Sequence, residues 1–153
     1  FQLRMAAQKY CKVVAESLAA LSRTGIYSSV VKHCRLVSAS EGRVSVEFDV
    51  SEPLTNSFGT LHGGCSATLV DIVTTAALIS TPQARAGVSV DLHVTYLSAA
   101  KLGDTVQLDA EVIRVGRTLG FTRALLSRKS DGVLIATGLH TKAFPPVADK
   151  GLL

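Results

Sequence analysis

The residues most able to do chemistry lie between positions 54 and 71, where a polar, glycine-rich loop leads into an apolar stretch. That stretch carries one carboxylate, Asp71, and a charge among apolar residues is expensive to bury unless it is paired, hydrogen-bonded or used. Upstream, His62-Gly63-Gly64 places unpaired backbone N–H groups and the positive end of a helix dipole at the predicted helix start. Donors for an oxyanion and a carboxylate about two helical turns away predict an acyl-transfer site.

The helix face around Asp71 is made of small and hydroxyl residues. Positions 64, 67, 68, 71 and 75 share one side of a helix, and besides Asp71 they are Gly64, Ala67, Thr68 and Thr75. Such a face leaves room for a flat acyl group beside the carboxylate. The alternative is a structural Asp71 that hydroxyl and backbone donors satisfy.

Several neighbouring residues also have purely structural interpretations. Asn56 and His62 could be ordinary loop residues, and the glycine pair could serve only a tight turn. Cys65 is a rival nucleophile, because a thiol at a helix N-terminus can be activated. The only histidine close to it in the sequence is His62, three residues earlier.

A second polar group lies on a predicted strand at 87–97. Strict alternation would place Ser89 on one face with Asp91, His93 and Thr95, and the valines on the other. A polar face on an interior strand indicates a subunit interface or a wet cleft, with plain solvent exposure as the alternative. A serine without a neighbouring base is a poor nucleophile, so Ser89 is expected to position a reactant or water.

Two predicted helices would position these groups. Apolar residues at helical spacing predict an N-terminal helix from Leu3 to about Leu21, which Arg23-Thr24-Gly25 would end. The stretch 65–80 lacks glycine and proline and is apolar on nearly every side. It predicts a long buried helix, closed by Pro82.

The remaining patterns are those of strands. Alternation over 43–50 after a turn at 40–42 predicts a hairpin. Further strands are predicted at 87–97, 105–115, 118–128 and 133–144, joined by short turns into an antiparallel meander. The predicted fold class is α+β, with an antiparallel sheet wrapped around a long central helix and an extra N-terminal helix. A free sheet edge would pair with a second copy, which predicts a homodimer.

Composition excludes several classes of protein. A chain of 153 residues with 47% hydrophobic residues predicts one domain over 1–153, with a helix in 1–25 and a disordered tail at 145–153. No apolar run is long enough for a transmembrane segment, and a net charge of +4 is too small to indicate nucleic acid. Three cysteines without a CxxC pair favour a reducing compartment and make disulfides or structural zinc unexpected.

The N-terminus shows no secretory signal. It begins with Phe1, and Arg4, Lys9 and Lys12 precede the first acidic residue, Glu16. That pattern resembles a weak organellar presequence, although a solvated helix face is the simpler interpretation. The expected location is therefore the cytoplasm, with the mitochondrion as the alternative.

The segment Asn56-x-x-Gly-Thr-Leu-His62-Gly63-Gly64, then Asp71, then Gly87-Val-Ser89-Val-Asp91, resembles the hotdog-fold acyl-CoA thioesterases related to the bacterial PaaI group. The resemblance covers residues 35–144, and Gly138-x-His-Thr-Lys142 adds to it. It implies a hotdog fold and the hydrolysis of fatty (medium- to long-chain) acyl-CoA to free fatty acid and coenzyme A. It implies no metal and no cofactor, since coenzyme A is part of the substrate.

The resemblance also implies roles for individual residues. The Gly63 N–H would be the oxyanion donor, and Asp71 the general base or nucleophile. Asn56 and Ser89 would orient the reactants, while His62 would brace the loop. Contacts to coenzyme A would come from Ser89, Asp91, Tyr96, Arg114, Val115, Gly116, Arg117, Thr118, Leu119, Lys142 and Ala143.

For the assembly, the resemblance implies a dimer of dimers, with Gly63 from one subunit facing Asp71 from the other. It also implies a place in fatty acid metabolism and a lipid-transfer-type protein as a partner. Two alternatives stay open: a non-catalytic acyl-CoA binding or interaction protein, and a hotdog acyl dehydratase. A dehydratase needs a histidine and an acid together, and in the predicted helix the chain offers only Asp71.

Overall fold

The chain forms two α-helices, one at its start and one near its middle. The computed structural model describes residues 2–146, and the side chains from residue 8 onward. The first helix, α1, spans Gln2–Ser22, and the central helix, α2, spans Gly63–Ile79. Short 3₁₀ helices lie at Tyr27–His33 and Glu52–Leu54. Both α-helices were predicted, and most of the predicted tail, 147–153, lies outside the described residues.

Six strands form one antiparallel sheet. In chain order they are β1 (Arg35–Ser40), β2 (Arg43–Asp49), β3 (Val88–Tyr96), β4 (Thr105–Val115), β5 (Leu119–Arg128) and β6 (Leu134–Ala143). Their order across the sheet is β1-β2-β4-β5-β6-β3, and every pairing is antiparallel. The predicted α+β fold, a sheet around a central helix with an extra N-terminal helix, is confirmed.

The predicted meander is wrong at its first strand. β3 pairs with β6 at the far edge of the sheet, while β2 pairs with β4. The connection from β3 to β4 is too long for a tight turn, and backbone bonds tie it to the loop before α2. Leu61 N donates to Ala100 O at 2.8 Å, and Thr60 bridges to Lys101. The connection therefore crosses the end of the sheet instead of folding back on itself.

The central helix lies against the inner face of the sheet. Leu69, Val70, Val73 and Ala77 are buried there against inward side chains of the strands, such as Phe48 and Leu108. The helix packs closely on Gly138 of β6, where an added Cβ would lie 2.6 Å from Val70 Cγ1. Any larger residue at this position therefore requires Val70 or the backbone to move.

The N-terminal helix closes the open side of this core. Val14 and Leu18 of α1 are buried, and Cys11 Sγ donates to Ala39 O at 3.4 Å. Part of the predicted apolar face (Leu3, Ala6 and Ala7) precedes the described side chains. None of the helices between residues 2 and 146 combines the length and the hydropathy that crossing a membrane requires.

Candidate functional site

The central helix begins at the glycine pair, as predicted. His62 is the residue that caps the helix, and its Nδ1 accepts a hydrogen bond from Gly64 N at 2.9 Å. The Gly63 N–H has no acceptor among residues 2–146. It sits at the positive end of the helix dipole and is available to an oxygen atom of a ligand. His62 therefore occupies the Gly64 N–H and leaves that of Gly63 unoccupied.

Tyr96 fixes the peptide on the other side of Gly63. Its hydroxyl donates to Gly63 O at 2.8 Å, and an added Cβ on Gly63 would lie 3.2 Å from Tyr96 Cζ. The last residue of β3 thus holds the first residue of α2. Tyr96, expected as a coenzyme A contact, therefore lies against the helix start.

Asp71 lies on the half-exposed face of α2. Gly64, Ala67, Thr68 and Thr75, the small and hydroxyl residues predicted to flank it, share that intermediate exposure. The carboxylate itself is 43% exposed in the single chain, so the expectation of a buried charge is wrong for one copy. The sheet covers the opposite side of the helix and leaves this stripe open.

Three polar side chains surround the Asp71 carboxylate. Its Oδ1 lies 3.5 Å from Ser89 Oγ, 3.5 Å from His140 Nε2 and 3.6 Å from Lys142 Nζ. Lys142 also donates to Thr75 Oγ1 at 2.8 Å, one helical turn along from Asp71. The carboxylate of α2 thus lies beside polar groups of β6 and of β3.

His140 is the buried centre of this cluster. Its Nδ1 lies 2.7 Å from Thr74 Oγ1, and its Nε2 lies 2.9 Å from Ser89 Oγ. Burial lowers the pKa of His140, and the positive charge of Lys142 lowers it further. Burial also lowers the pKa of Lys142, against an opposing effect of Asp71. At neutral pH the imidazole is therefore uncharged.

A β-bulge changes the predicted faces of β3. Ser89 is opposite Lys142 and Asp91 is opposite Thr141, so Val90 is an extra residue without its own partner. Because a bulge shifts the alternation by one residue, Ser89 shares the helix-facing side with Leu92 and Tyr96. The expected polar face of Ser89, Asp91, His93 and Thr95 is therefore wrong for Ser89. Asp91 lies on the outer face of the sheet, away from the carboxylate.

Asn56 is engaged within its own loop. Its Oδ1 accepts from Phe58 N at 3.0 Å and Thr60 N at 3.2 Å, and its Nδ2 donates to Thr60 Oγ1 at 3.0 Å. These bonds shape the turn that leads into α2. In the single chain, Asn56 braces this loop.

The predicted coenzyme A turn is the hairpin between β4 and β5. Gly116 N donates to Leu119 O at 2.8 Å, and Phe144 N donates to Thr118 O at 2.8 Å. Arg85, which the sequence did not single out, donates to Arg117 O at 2.8 Å. The main chain is thus held in place while the side chains of Arg114 and Arg117 remain exposed.

The remaining predicted coenzyme A contacts lie partly beside this hairpin and partly beside Asp71. Val115 pairs with Gly120 beside the hairpin, and Ala143 pairs with Leu119 and Val88. Lys142, expected with this group, points inward to Asp71 instead. Alternation along β6 explains the separation, because neighbouring residues of a strand face opposite sides.

Gly63 and Asp71 are not together in one chain. They are eight residues apart on the same straight helix, which separates them by about 12 Å along its axis. One thioester carbonyl cannot contact both groups of a single copy.

The rival nucleophile Cys65 is not activated. Burial raises the pKa of its thiol to about 11, and the pKa of Cys34 is raised to about 12. A thiol with so high a pKa is protonated at neutral pH and is a weak nucleophile. Within residues 2–146 no three His, Cys, Asp or Glu side chains are grouped to hold a metal ion.

His140 is the site residue that sequence reasoning missed. The helix offers only Asp71, as expected, and the histidine beside it comes from β6. The available signal was the alternation of Gly138, His140 and Lys142 on one strand face. What the sequence did not contain was the contact between that face and the middle of α2.

Comparison with known proteins places this chain in a family. The model of the thioesterase superfamily matches residues 58–135. Acyl-coenzyme A thioesterase 13 of Homo sapiens is 46% identical over 127 residues, which are 83% of this chain and 91% of that protein. The chain belongs to the thioesterase superfamily, and the enzyme class predicted from the sequence is confirmed.

Solved structures agree with this assignment. The crystal structure of zebrafish thioesterase superfamily member 2 has a TM-score of 0.83 at 40% identity, over 85% of this chain and 94% of that one. A thioesterase from Streptococcus pneumoniae, solved with coenzyme A, has a TM-score of 0.69 at 25% identity, over 73% of this chain and 85% of that one. The predicted resemblance to hotdog-fold thioesterases is confirmed.

Proposed function

We propose that this chain hydrolyses medium- to long-chain fatty acyl-CoA to free fatty acid and coenzyme A. The observation that carries the proposal is the Asp71 carboxylate, held within 3.6 Å of Ser89, His140 and Lys142 on an open face of small residues. A carboxylate with this access can accept a proton from water. The thioesterases of similar sequence and fold support acyl-CoA as the substrate.

In the proposed reaction the oxygen of water attacks the thioester carbonyl carbon while a water proton passes to Asp71. The carbonyl oxygen becomes an oxyanion and accepts a hydrogen bond from the Gly63 N–H. The C–S bond then breaks, the carbonyl re-forms, and the coenzyme A thiolate takes up the proton that Asp71 accepted, which returns Asp71 to the carboxylate. Direct attack by the Asp71 carboxylate, followed by hydrolysis of the anhydride, is the other proposed route.

Ser89 is proposed to hold the attacking water beside Asp71. Thr74 Oγ1 donates to Val70 O at 2.7 Å, so it accepts from the N–H of His140 at Nδ1. With its proton on Nδ1, the neutral imidazole accepts the Ser89 hydroxyl proton at Nε2. The lone pairs of Ser89 are then available to a water molecule, so His140 acts as a positioning residue.

The proposed active site lies between two copies, with Gly63 from one and Asp71 from the other. The separation of the two groups along one helix supports this arrangement. β3 is an edge strand with exposed Val88 and Val90, and an edge of this kind favours pairing with a second copy. The proposed assembly is a homodimer that forms a dimer of dimers.

Coenzyme A is proposed to bind at the β4–β5 hairpin. Exposed Arg114 and Arg117 flank Gly116, so guanidinium groups and backbone N–H groups can meet a phosphate together. Asp91, on the outer face of β3, is proposed as a further contact, and Asn56 and His62 as the braces of the oxyanion loop. The proposed setting is fatty acid metabolism in the cytoplasm or mitochondrion, with a lipid-transfer-type protein as partner.

Release of free thiol from acyl-CoA tests the proposal. The purified protein is incubated with acyl-CoA esters of graded chain length, and the coenzyme A thiol is measured with a thiol reagent against a blank of protein alone. We expect turnover with medium and long chains. Binding without thiol release would instead support the acyl-CoA carrier.

The proximity of His140 to Asp71 makes the acyl dehydratase the second candidate. Its test is the hydration of a 2-enoyl-CoA, followed as loss of the conjugated enoyl absorbance. We expect no hydration, because both ring nitrogens of His140 are already hydrogen-bonded to the chain.

A further inference from the structure

We infer that the N-terminal helix sets the chain-length preference of this enzyme, because a cavity between α1, the Tyr27–His33 helix and α2 receives the far end of the acyl chain. The inference rests on the proposed function. The cavity has a volume of about 200 Å³ and includes Asp71 among its lining residues. We call it the tail cavity.

The tail cavity is polar at one end and apolar at the other. Asp71, Thr75 and Lys142 meet at the polar end, where Lys142 Nζ bonds Thr75 Oγ1 at 2.8 Å. Two turns further along α2, Ile79 faces Leu21 of α1 across the apolar end. The acyl group of a thioester matches this arrangement, because it has a polar carbonyl at one end and an apolar alkyl chain beyond it.

The walls of the tail cavity explain why α1 matters for the substrate. Leu18 and Leu21 of α1 supply one apolar wall, and Ile72 and Ile79 of α2 supply the other. Pockets for drug-sized ligands span about 300–1,000 Å³, so this smaller space suits a single alkyl chain better than a bulky ring system. Each methylene that leaves water for such a wall favours binding about fourfold.

Two serines give a way to fill the cavity without touching the reacting groups. Ser17 on α1 and Ser28 on the Tyr27–His33 helix line it, and neither hydroxyl makes a hydrogen bond within residues 2–146. Replacing Ser17 with phenylalanine therefore fills space and breaks no bond of the described chain. Ala20, exposed on the same helix and outside the cavity, provides the matched control.

The experiment compares kcat/KM for acyl-CoA esters from short to long chains. For the wild-type protein we expect kcat/KM to rise about fourfold per methylene until the cavity is full. Ser17→Phe should lose at least tenfold with long chains and stay within twofold of wild type with the shortest. Ala20→Phe should keep the wild-type profile. Leu21→Ala, which enlarges the apolar end, should move the optimum to longer chains.

The outcomes separate the inference from the proposed function. If Ser17→Phe and Leu21→Ala hydrolyse every chain length in the wild-type proportions, the tail cavity does not hold the acyl chain, although the proposed hydrolysis stands. A uniform loss at all chain lengths in Ser17→Phe also overturns the inference. If the wild-type protein releases no thiol from any ester, the proposed function fails and the inference fails with it.

Discussion

His140 on β6 and Asp71 on α2 approach each other to 3.5 Å, between Nε2 and Oδ1, and Ser89 bonds the same ring nitrogen at 2.9 Å. A buried, uncharged imidazole thus connects the interior of the sheet to a carboxylate that is open to a ligand. Burial keeps His140 fixed in one orientation, and the orientation of His140 determines that of Ser89.

His140→Gln tests this positioning role. Glutamine can reproduce one of the two hydrogen bonds of the ring but not both, so the Ser89 hydroxyl loses its fixed direction. We expect kcat to fall about 10- to 100-fold, a loss of about 1.4–2.7 kcal/mol of transition-state stabilisation, with little change in KM. Steady-state kinetics measure the split. His93→Gln, at an exposed position of β3, is the control and should keep wild-type rates.

The stability of the protein should depend on pH through the same histidine. The pKa of His140 is lowered in the folded chain, chiefly by burial, whereas an unfolded chain takes up a proton near pH 6.5. Below about pH 6.5 the unfolded chain therefore binds more protons at this residue, and the free energy of unfolding falls as the pH falls toward the folded pKa. Urea unfolding at pH 7.5 and 5.5 should show a smaller loss in His140→Gln than in wild type. Equal losses in both proteins would contradict the assignment.

Gly63→Ala probes the proposed oxyanion donor. The new methyl group would lie 3.2 Å from Tyr96 Cζ, which moves the ring or the peptide whose N–H is meant to face the substrate oxygen. Loss of one oxyanion donor typically costs about 10²- to 10³-fold in kcat. We expect a loss of that order in Gly63→Ala and a smaller one in Tyr96→Phe, which removes only the bond to Gly63 O. Wild-type turnover in Gly63→Ala would exclude this N–H as the donor.

Gly138→Ala tests the close packing of α2 on β6. Its Cβ would lie 2.6 Å from Val70 Cγ1, and overpacking of this kind costs about 1–3 kcal/mol of unfolding free energy. Chemical denaturation measures the loss. Val70→Ala removes the clashing methyl groups, so the double variant should be more stable than the sum of the two single losses predicts. Simple additivity would mean that this contact is not what requires glycine.

Local sequence patterns predicted most of the helices and strands of the fold. They did not predict which strands pair with each other in the sheet. Alternation alone located β4 at 105–115, and a run without glycine or proline located α2. The order of the strands depends on hydrogen bonds between distant residues. The sequence patterns of β3 and β6 therefore do not indicate that the two strands are neighbours. The bulge at Val90 was also not predictable from the local sequence. Because of it, Ser89 faces Asp71 and Asp91 does not.

Some residues of the candidate site could be predicted from local sequence patterns, and others could not. A carboxylate in an apolar helix and a glycine pair at its start are unusual in themselves, so Asp71 and Gly63 could be proposed from the sequence. His140 and Lys142 are ordinary residues of a strand, and only the packing of β6 against α2 brings them to the carboxylate. Lys142 was accordingly predicted as a coenzyme A contact of the last strand, and its position beside Asp71 was not foreseen.

The most direct test of the account is the turnover of Asp71→Asn with a long-chain acyl-CoA, followed as release of free thiol. Asparagine keeps the shape of the side chain but cannot accept the proton of water, so we expect kcat to fall at least 100-fold while the protein stays folded and still binds coenzyme A. Asp109→Asn, on β4 and hydrogen-bonded to Gln107, is the control and should hydrolyse at the wild-type rate. Turnover by Asp71→Asn within a few-fold of wild type would contradict the account.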